Sequence, residues 1–324
     1  ILWENAISHS KKIIKYLEEN FEILEILEIF WPKKKFAQNL KRFYGITLTD
    51  PHKKESVCGN GSFLLIIVLD KNPIHGKRKT SLGSQIVNTN IYDQKMQYRK
   101  ILDSGYIIHS SIHQKEANHD FILLLGKNID QLKTELKEPW NGKIKEKHID
   151  LFGNEWKNPK QIFLVLNAIT KYVVLRNFEN LPEELNSNEH KDIDLLTDNQ
   201  WQLPYILNMS KIDSNNVGFS PVIKIGSKEI KLDIKYVGDR YYDEKWSKDI
   251  LRRRILSKNG VYTPSKEDHF FTLLYHVIIH KKKIIPEYIE KLYLISPQDI
   301  LNNYKKNYFN NFENLKRILK KYMK

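Results

Sequence analysis

The order of apolar and polar positions divides the chain into alternating helical and extended pieces. Residues 7–19 place Ile7, Ile13, Ile14 and Leu17 at near-helical spacing, which predicts an amphipathic helix closed by Asn20. Residues 21–30, FEILEILEIF, read as a strand, although Glu22, Glu25 and Glu28 stand three apart and keep a helix open. Over 33–44, Phe36, Leu40, Phe43 and Tyr44 form one helical face, and Gly45 follows as a C-terminal cap. A buried strand from Phe63 to Leu69 is bounded by glycines on one side and by Asp70-Lys71-Asn72-Pro73 on the other. Residues 91–102 read as a short helix, and 106–108 as a strand leading into His109-Ser110-Ser111 and another helix.

Periodicity fades over 127–160, where Lys, Glu, Asn and Pro gather with the turn segments PWNGK and GNEWKNP. This predicts a connector and a domain boundary near residue 145. Beyond it, QIFLVLNAI predicts a helix, Tyr172–Leu175 a strand end, and 221–225 and 229–237 two further strands. A short helix and a loop, including NMSKIDSNNVG, are expected between Leu196 and Ile230. Residues 238–256 predict a Gly-Asp turn and then a cationic helix with Arg252, Arg253 and Arg254. The clearest helix covers 266–283, with Phe270, Leu273, Leu274, Val277 and Ile278 as its buried stripe. His276 and His280 stand one turn apart on it, a metal-ligand spacing that lacks the glutamate of HExxH and equally suits a helix edge. Helical pieces at 284–294 and 297–324 end the chain.

Composition changes this picture in two respects. Apolar content of 41% and aromatic content of 11% over 324 residues suit two domains with real cores. A formal charge of +14 favours phosphate-bearing partners without choosing among nucleotides, sugar phosphates and nucleic acid. Cys58 is the only cysteine, so an internal disulfide is excluded; with no signal-peptide pattern, a cytoplasmic setting is expected. An opening Ile in place of Met predicts a start inside a longer chain. Neither GxxxxGK[ST] nor GxGxxG occurs, which argues against P-loop and Rossmann chemistry.

Candidate chemistry concentrates where Asp192-Ile193-Asp194 alternates carboxylate, apolar, carboxylate. On a strand, residues i and i+2 face one side, and two carboxylates held together call for a cation such as Mg²⁺. Asp233, between Leu232 and Ile234, offers a third acid on another strand. DIDLL followed by an isolated apolar-Asp-apolar strand resembles the DNA polymerase beta-like nucleotidyltransferases. The resemblance implies that Asp192, Asp194 and Asp233 hold divalent metal over a nucleotide's phosphates. Where that family has a Gly-Ser turn, this chain has Leu175-Arg176-Asn177-Phe178, with Arg176 as a candidate phosphate ligand. Arg252 is a second candidate, in the cationic helix. An ordinary solvated strand edge is the plainer reading of the same acids.

The first half carries a second resemblance. NFEILEILEIF, FAQNLKRFYG, GSFLLIIVLD and HSSIHQKEANHDF, with Ala117 and Asp120 spaced after the histidine, resemble nucleoside diphosphate kinase over about residues 10–126. The resemblance implies that His109 accepts a phosphoryl group, that Tyr44 flanks the nucleotide base, and that Arg99 and Arg78 hold phosphates. A neutral imidazole has the free lone pair this chemistry needs near neutral pH. Ile112 and His113 replace the family's Asp-Ser, which leaves a binding or fold-preserving role open. His113 and His119 read as surface helix residues before they read as ligands.

Together these readings predict an α+β chain. Residues 1–145 would form a ferredoxin-like, nucleoside diphosphate kinase-like domain, and 146–324 a nucleotidyltransferase-like mixed sheet with helical tail. The expected activity is Mg-dependent nucleotidyl or phosphoryl transfer to a small phosphorylated or sugar acceptor, with surface polysaccharide synthesis as one setting. RNA end modification, a CDP-linked donor and a non-catalytic nucleotide-binding module are the alternatives. RNA and a second copy of the chain stay open as partners.

Overall fold

A computed structural model describes residues 1–186, 192–212 and 220–323. The chain is mixed α+β with several small sheets and forms two compact units, Ile1–Glu155 with Trp201–Asn208, and Trp156–Gln200 with Met209–Lys324.

In the first unit, a 3-10 turn over Glu4–His9 leads into α1 (Ser10–Asn20), β1 (Glu22–Phe30), α2 (Phe36–Tyr44) and α3 (Pro51–Cys58). Then come β2 (Ser62–Leu69), a hairpin of β3 (His75–Thr80) and β4 (Gly83–Asn88), α4 (Thr89–Ile101), α5 (Gln114–Leu125), α6 (Ile129–Glu135) and β5 (Lys145–His148). The three-glutamate spacing in β1 does not make a helix. Ile23, Ile26, Leu27 and Ile29 are all buried, as a central strand covered on both faces requires. β1 pairs antiparallel with β2 and parallel with β5, with a bulge at Ile23/Glu25. One core gathers Trp3, Leu27, Phe36, Leu40, Phe43, Phe63 and Leu123; another gathers Leu2, Ile13, Leu64, Tyr98 and Ile108. Gly45 caps α2 at φ 62°, in the half of backbone space that favours glycine.

Two expectations change here, and two elements lie where none was assigned. Residues 127–160 are not a bare connector, because α6 and β5 lie within them and β5 completes the first unit's sheet. The strand expected over 106–108 is only a bridge between Ile108 and Leu2. Asp50, accepting from the Lys53 amide, and Pro51 start α3. The β3–β4 hairpin is largely exposed and shows no buried stripe.

In the second unit, α7 (Pro159–Ile169) leads to β6 (Tyr172–Val174) and β7 (Asp192–Thr197). The short helix α8 (Leu203–Ile206) belongs to the first unit, where buried Arg42 donates to the Tyr205 and Ile206 carbonyls. The chain then returns through β8 (Ser210–Ile212), β9 (Ser220–Ile225), β10 (Lys228–Tyr236) and α9 (Glu244–Arg252). The sheet runs β6-β7-β10-β9-β8, with β7 and β10 parallel and the other pairs antiparallel. A two-stranded piece, β11 (Ile255–Leu256) and β12 (Tyr262–Thr263), precedes α10 (Lys266–Tyr275), a π-helical turn (His276–Lys281), α11 (Pro286–Ile295), α12 (Gln298–Asn303) and α13 (Phe312–Tyr322). Phe270, Leu274, Leu292, Phe309 and Leu315 pack these helices against Val173 and Leu196 of the sheet. The helix expected over 266–283 therefore changes its winding at His276, and Arg253 and Arg254 lie beyond the end of α9. Much of the predicted NMSKIDSNNVG loop, residues 213–219, and the connector 187–191 lie outside the described residues.

Candidate functional sites

His109 follows the Leu2–Ile108 bridge and is held by its own backbone, whose amide donates to the Ile1 carbonyl at 3.0 Å. α5 begins five residues later, with the His113 ring accepting from the Glu116 amide, so Asp120 comes back toward the histidine two turns along. His109 Nε2 lies 2.8 Å from Asp120 Oδ2, and Ser111 donates to the same oxygen at 2.6 Å. His119 Nδ1 lies 3.1 Å from Asp120 Oδ1.

Asp120 is buried, which by itself disfavours its charge; the facing His109 and His119 nevertheless hold its carboxyl well below the usual carboxylate range. An ionised carboxylate only accepts hydrogen bonds. His109 must therefore carry its proton on Nε2 when neutral, leaving the Nδ1 lone pair for chemistry. Phe43 and Tyr44 meet the imidazole edge-on at 5.4 and 5.5 Å. A cavity of about 430 Å³ is lined by His109, Ser111 and Asp120 together with Leu65, Val68 and Phe121.

The remaining residues expected around His109 divide. Tyr44 is beside it, and Arg99 donates to the Ile108 carbonyl. Arg78 instead lies on β3 in an exposed pair with Asp93. His119, which read as a surface helix residue, contributes to the Asp120 network. Its signal was adjacency to the acid, since burial of a carboxylate demands partners.

In the second unit, β7 and β10 are in register, with Asp194 directly opposite Asp233. Asp192, two residues before Asp194, shares its face. Asp192 is exposed, Asp194 buried and Asp233 half-buried. Arg176, just after β6, forks onto both oxygens of Asp194 through Nε and Nη2. Burial pushes the Asp194 carboxyl up against the pull of Arg176, and Asp233 and Asp192 add to the rise. Lys235 reaches Asp233 at 2.6 Å. Lys235 stands two residues from Asp233 on the same strand face, a signal the sequence did contain.

The donor chemistry suits magnesium, but the arrangement does not form a three-carboxylate site. Arg176 occupies Asp194 and Lys235 occupies Asp233, and among the described residues no three His, Cys, Asp or Glu side chains converge to hold a metal ion. Arg252 is exposed and bonded to Asp249, three residues back on α9. His276 accepts from or donates to the Tyr241 hydroxyl at 3.1 Å, and the Tyr241 ring stacks on His280 at 4.0 Å.

A family described as Domain of Unknown Function (DUF1543) matches residues 118–152, from the middle of α5 through β5. No curated protein and no solved structure matches the chain. No helix among the described residues is long and apolar enough to cross a membrane.

Proposed function

We propose that the chain is a phosphoryl- or nucleotidyl-group transferase acting on a small phosphorylated or sugar acceptor, with His109 as the group that carries phosphate. The observation that supports this reading is the 2.8 Å contact between His109 Nε2 and Asp120, which reserves Nδ1 as the nucleophile. In the first half-reaction the Nδ1 lone pair bonds to the terminal phosphorus of a nucleoside triphosphate. The bond from that phosphorus to the bridging oxygen breaks, and the diphosphate leaves with the electron pair. The imidazole becomes cationic as it is phosphorylated, and the Asp120 carboxylate stabilises that charge through Nε2–H. In the second half-reaction an acceptor oxygen displaces the imidazole, loses its proton and takes the phosphoryl group. The nucleoside diphosphate kinase resemblance points to the same histidine.

Incubation with γ-³²P-ATP tests this directly. Acid-labile label should appear on the wild type and vanish in His109→Ala, with folding of the variant checked by circular dichroism. Label that persists in a folded His109→Ala chain would sink the assignment.

A second reading, nucleotidyl transfer in the second unit, is favoured by the in-register Asp194–Asp233 pair and the polymerase beta-like motif. Arg176 and Lys235 supply the charge compensation there. Transfer of α-³²P from ATP or CTP, lost in Asp192→Ala, tests it. RNA end modification predicts that the acceptor is an RNA terminus, and a CDP-linked donor predicts no need for free triphosphate.

A further inference from the structure

Among the described strands, β3 and β4 pair only with each other. Residues opposite one another across the ladder share a side of the ribbon. Gly76↔Val87 and Arg78↔Gln85 therefore define one face, and Lys77↔Ile86 and Lys79↔Ser84 the other. The first face is fastened to α4. Val87 is buried, Arg78 forks onto Asp93 at 2.9 and 2.7 Å, and the Tyr92 hydroxyl donates to the Lys79 carbonyl at 2.6 Å. A two-stranded ribbon needs such support to hold its shape.

The second face has no such cover. His75, Lys77, Lys79, Ser84 and Ile86 are all exposed, Ile86 by 58%. At the tip, the Thr80 hydroxyl accepts from the Leu82 amide and donates to the Gly83 carbonyl, and this closed turn holds Leu82 66% exposed. At the base, Ile74 is 62% exposed. Single exposed aliphatic side chains are ordinary, but three along one short ribbon mark an interaction surface. The charge on this face has one sign. Arg78 spends its charge on Asp93 on the opposite face, whereas Lys77 and Lys79 enter no ion pair among the described residues. Asp70, at the base, is taken up by Asn88 and Asn90.

We propose that this face of the hairpin docks on an anionic phospholipid bilayer, with Lys77 and Lys79 at the headgroup phosphates and Leu82 and Ile86 among the first acyl carbons. The pairing of aliphatic and cationic groups selects the partner. Lysine lays its stem along an apolar boundary while its ammonium reaches the anionic headgroups. A single-stranded nucleic acid would satisfy the lysines but leave Ile74, Leu82 and Ile86 in water, and the face offers no Phe, Tyr or Trp ring for a base to stack on. A second copy docked through the same face would set Lys77 and Lys79 against their own kind. A bilayer surface covers the aliphatic groups and answers the charge together. The contact is peripheral and requires nothing of the chemistry at His109.

Co-sedimentation of the whole chain with vesicles is the test, phosphatidylcholine alone against equal parts of phosphatidylcholine and phosphatidylglycerol. Binding to the anionic vesicles should be tighter by at least about tenfold. Because the chain is basic overall, variants locate the contact. Lys77→Gln with Lys79→Gln, and separately Leu82→Ser with Ile86→Ser, should each weaken anionic binding by roughly tenfold, with folding checked by circular dichroism. Leu82→Cys carrying bimane should shift its emission to the blue on anionic vesicles, Cys58 being buried. Anionic binding that survives both double variants would overturn the proposal, since another basic surface would then hold the lipid. So would loss of binding in the lysine pair alone with no bimane shift, the pattern of a polyanion contact such as RNA. Self-association abolished by Ile86→Ser, without vesicle binding, would assign the face to a second copy instead.

Discussion

Two buried aspartates, one in each unit, are treated in opposite ways. Asp120 is surrounded by two imidazoles and a hydroxyl, and its carboxyl is driven down despite burial. Asp194 faces a single guanidinium with two further carboxylates nearby, and its carboxyl is driven up. In the first unit the acid is a fixed anion that orients a titratable neighbour and leaves one nitrogen free. In the second the acid is consumed by its own ion pair. Burial alone marks neither as functional; what separates them is whether the partner retains unused chemistry.

The sharpest way to break this contrast is to remove the partner in the second unit. Arg176→Met should destabilise the protein by about 3–5 kcal/mol, because it leaves Asp194 buried without its counter-charge. Urea unfolding measures this, and adding Asp194→Asn should recover part of the loss. A small effect for Arg176→Met alone would mean that Asp194 is already neutral.

Acid should act on the second unit in the same direction. Burial lowers His269 to about 4 and His276 to about 3. Between the ordinary histidine value near 6.5 and those values, the unfolded chain binds protons that the native chain refuses. Stability therefore falls as pH drops through that window, by on the order of 3 kcal/mol for His269. His269→Phe should flatten the urea midpoint between pH 6.5 and 4. Asp120, whose folded value is depressed, contributes stability that is fully present above the ordinary carboxylate range and is lost as pH falls below it, so it adds to the loss only below about pH 4.

Asp120→Asn sharpens the first unit's side of the comparison. The amide still fills the space but loses the charge that favours a cationic imidazole, so labelling at His109 should slow by about 10–100-fold, equivalent to roughly 1.4–2.7 kcal/mol. A rate unchanged in Asp120→Asn would reduce the aspartate to packing. Smallest of all, Arg78→Ala and Arg252→Ala should each leave the urea midpoint nearly unchanged, because their pairs are exposed. A large loss of labelling in Arg78→Ala would restore it to the site.

Much of this contrast was legible in the sequence. The HSS segment and the later Asp120 gave the histidine and its acid, and DIDLL with LDI gave two acid-bearing strands, whose parallel, in-register pairing came only from the structure. Charge compensation was harder to read. Arg176 was noticed as a phosphate ligand, but its fork onto Asp194 depends on how β6 and β7 pair, which no local pattern specifies. The strand expected at 106–108 failed for the reverse reason: Ile107 and Ile108 are apolar, but a strand exists only where a partner strand is present. The β3–β4 hairpin was missed because exposed strands carry no hydrophobic alternation.

The central claim, that Asp120 reserves Nδ1 of His109 for phosphate, is tested most directly by ³¹P and ¹⁵N NMR of the protein after reaction with ATP. The account predicts a single phosphoramidate signal coupled to His109 Nδ1, with Nε2 still protonated. A phosphoramidate on Nε2, or one on any other histidine, would contradict it.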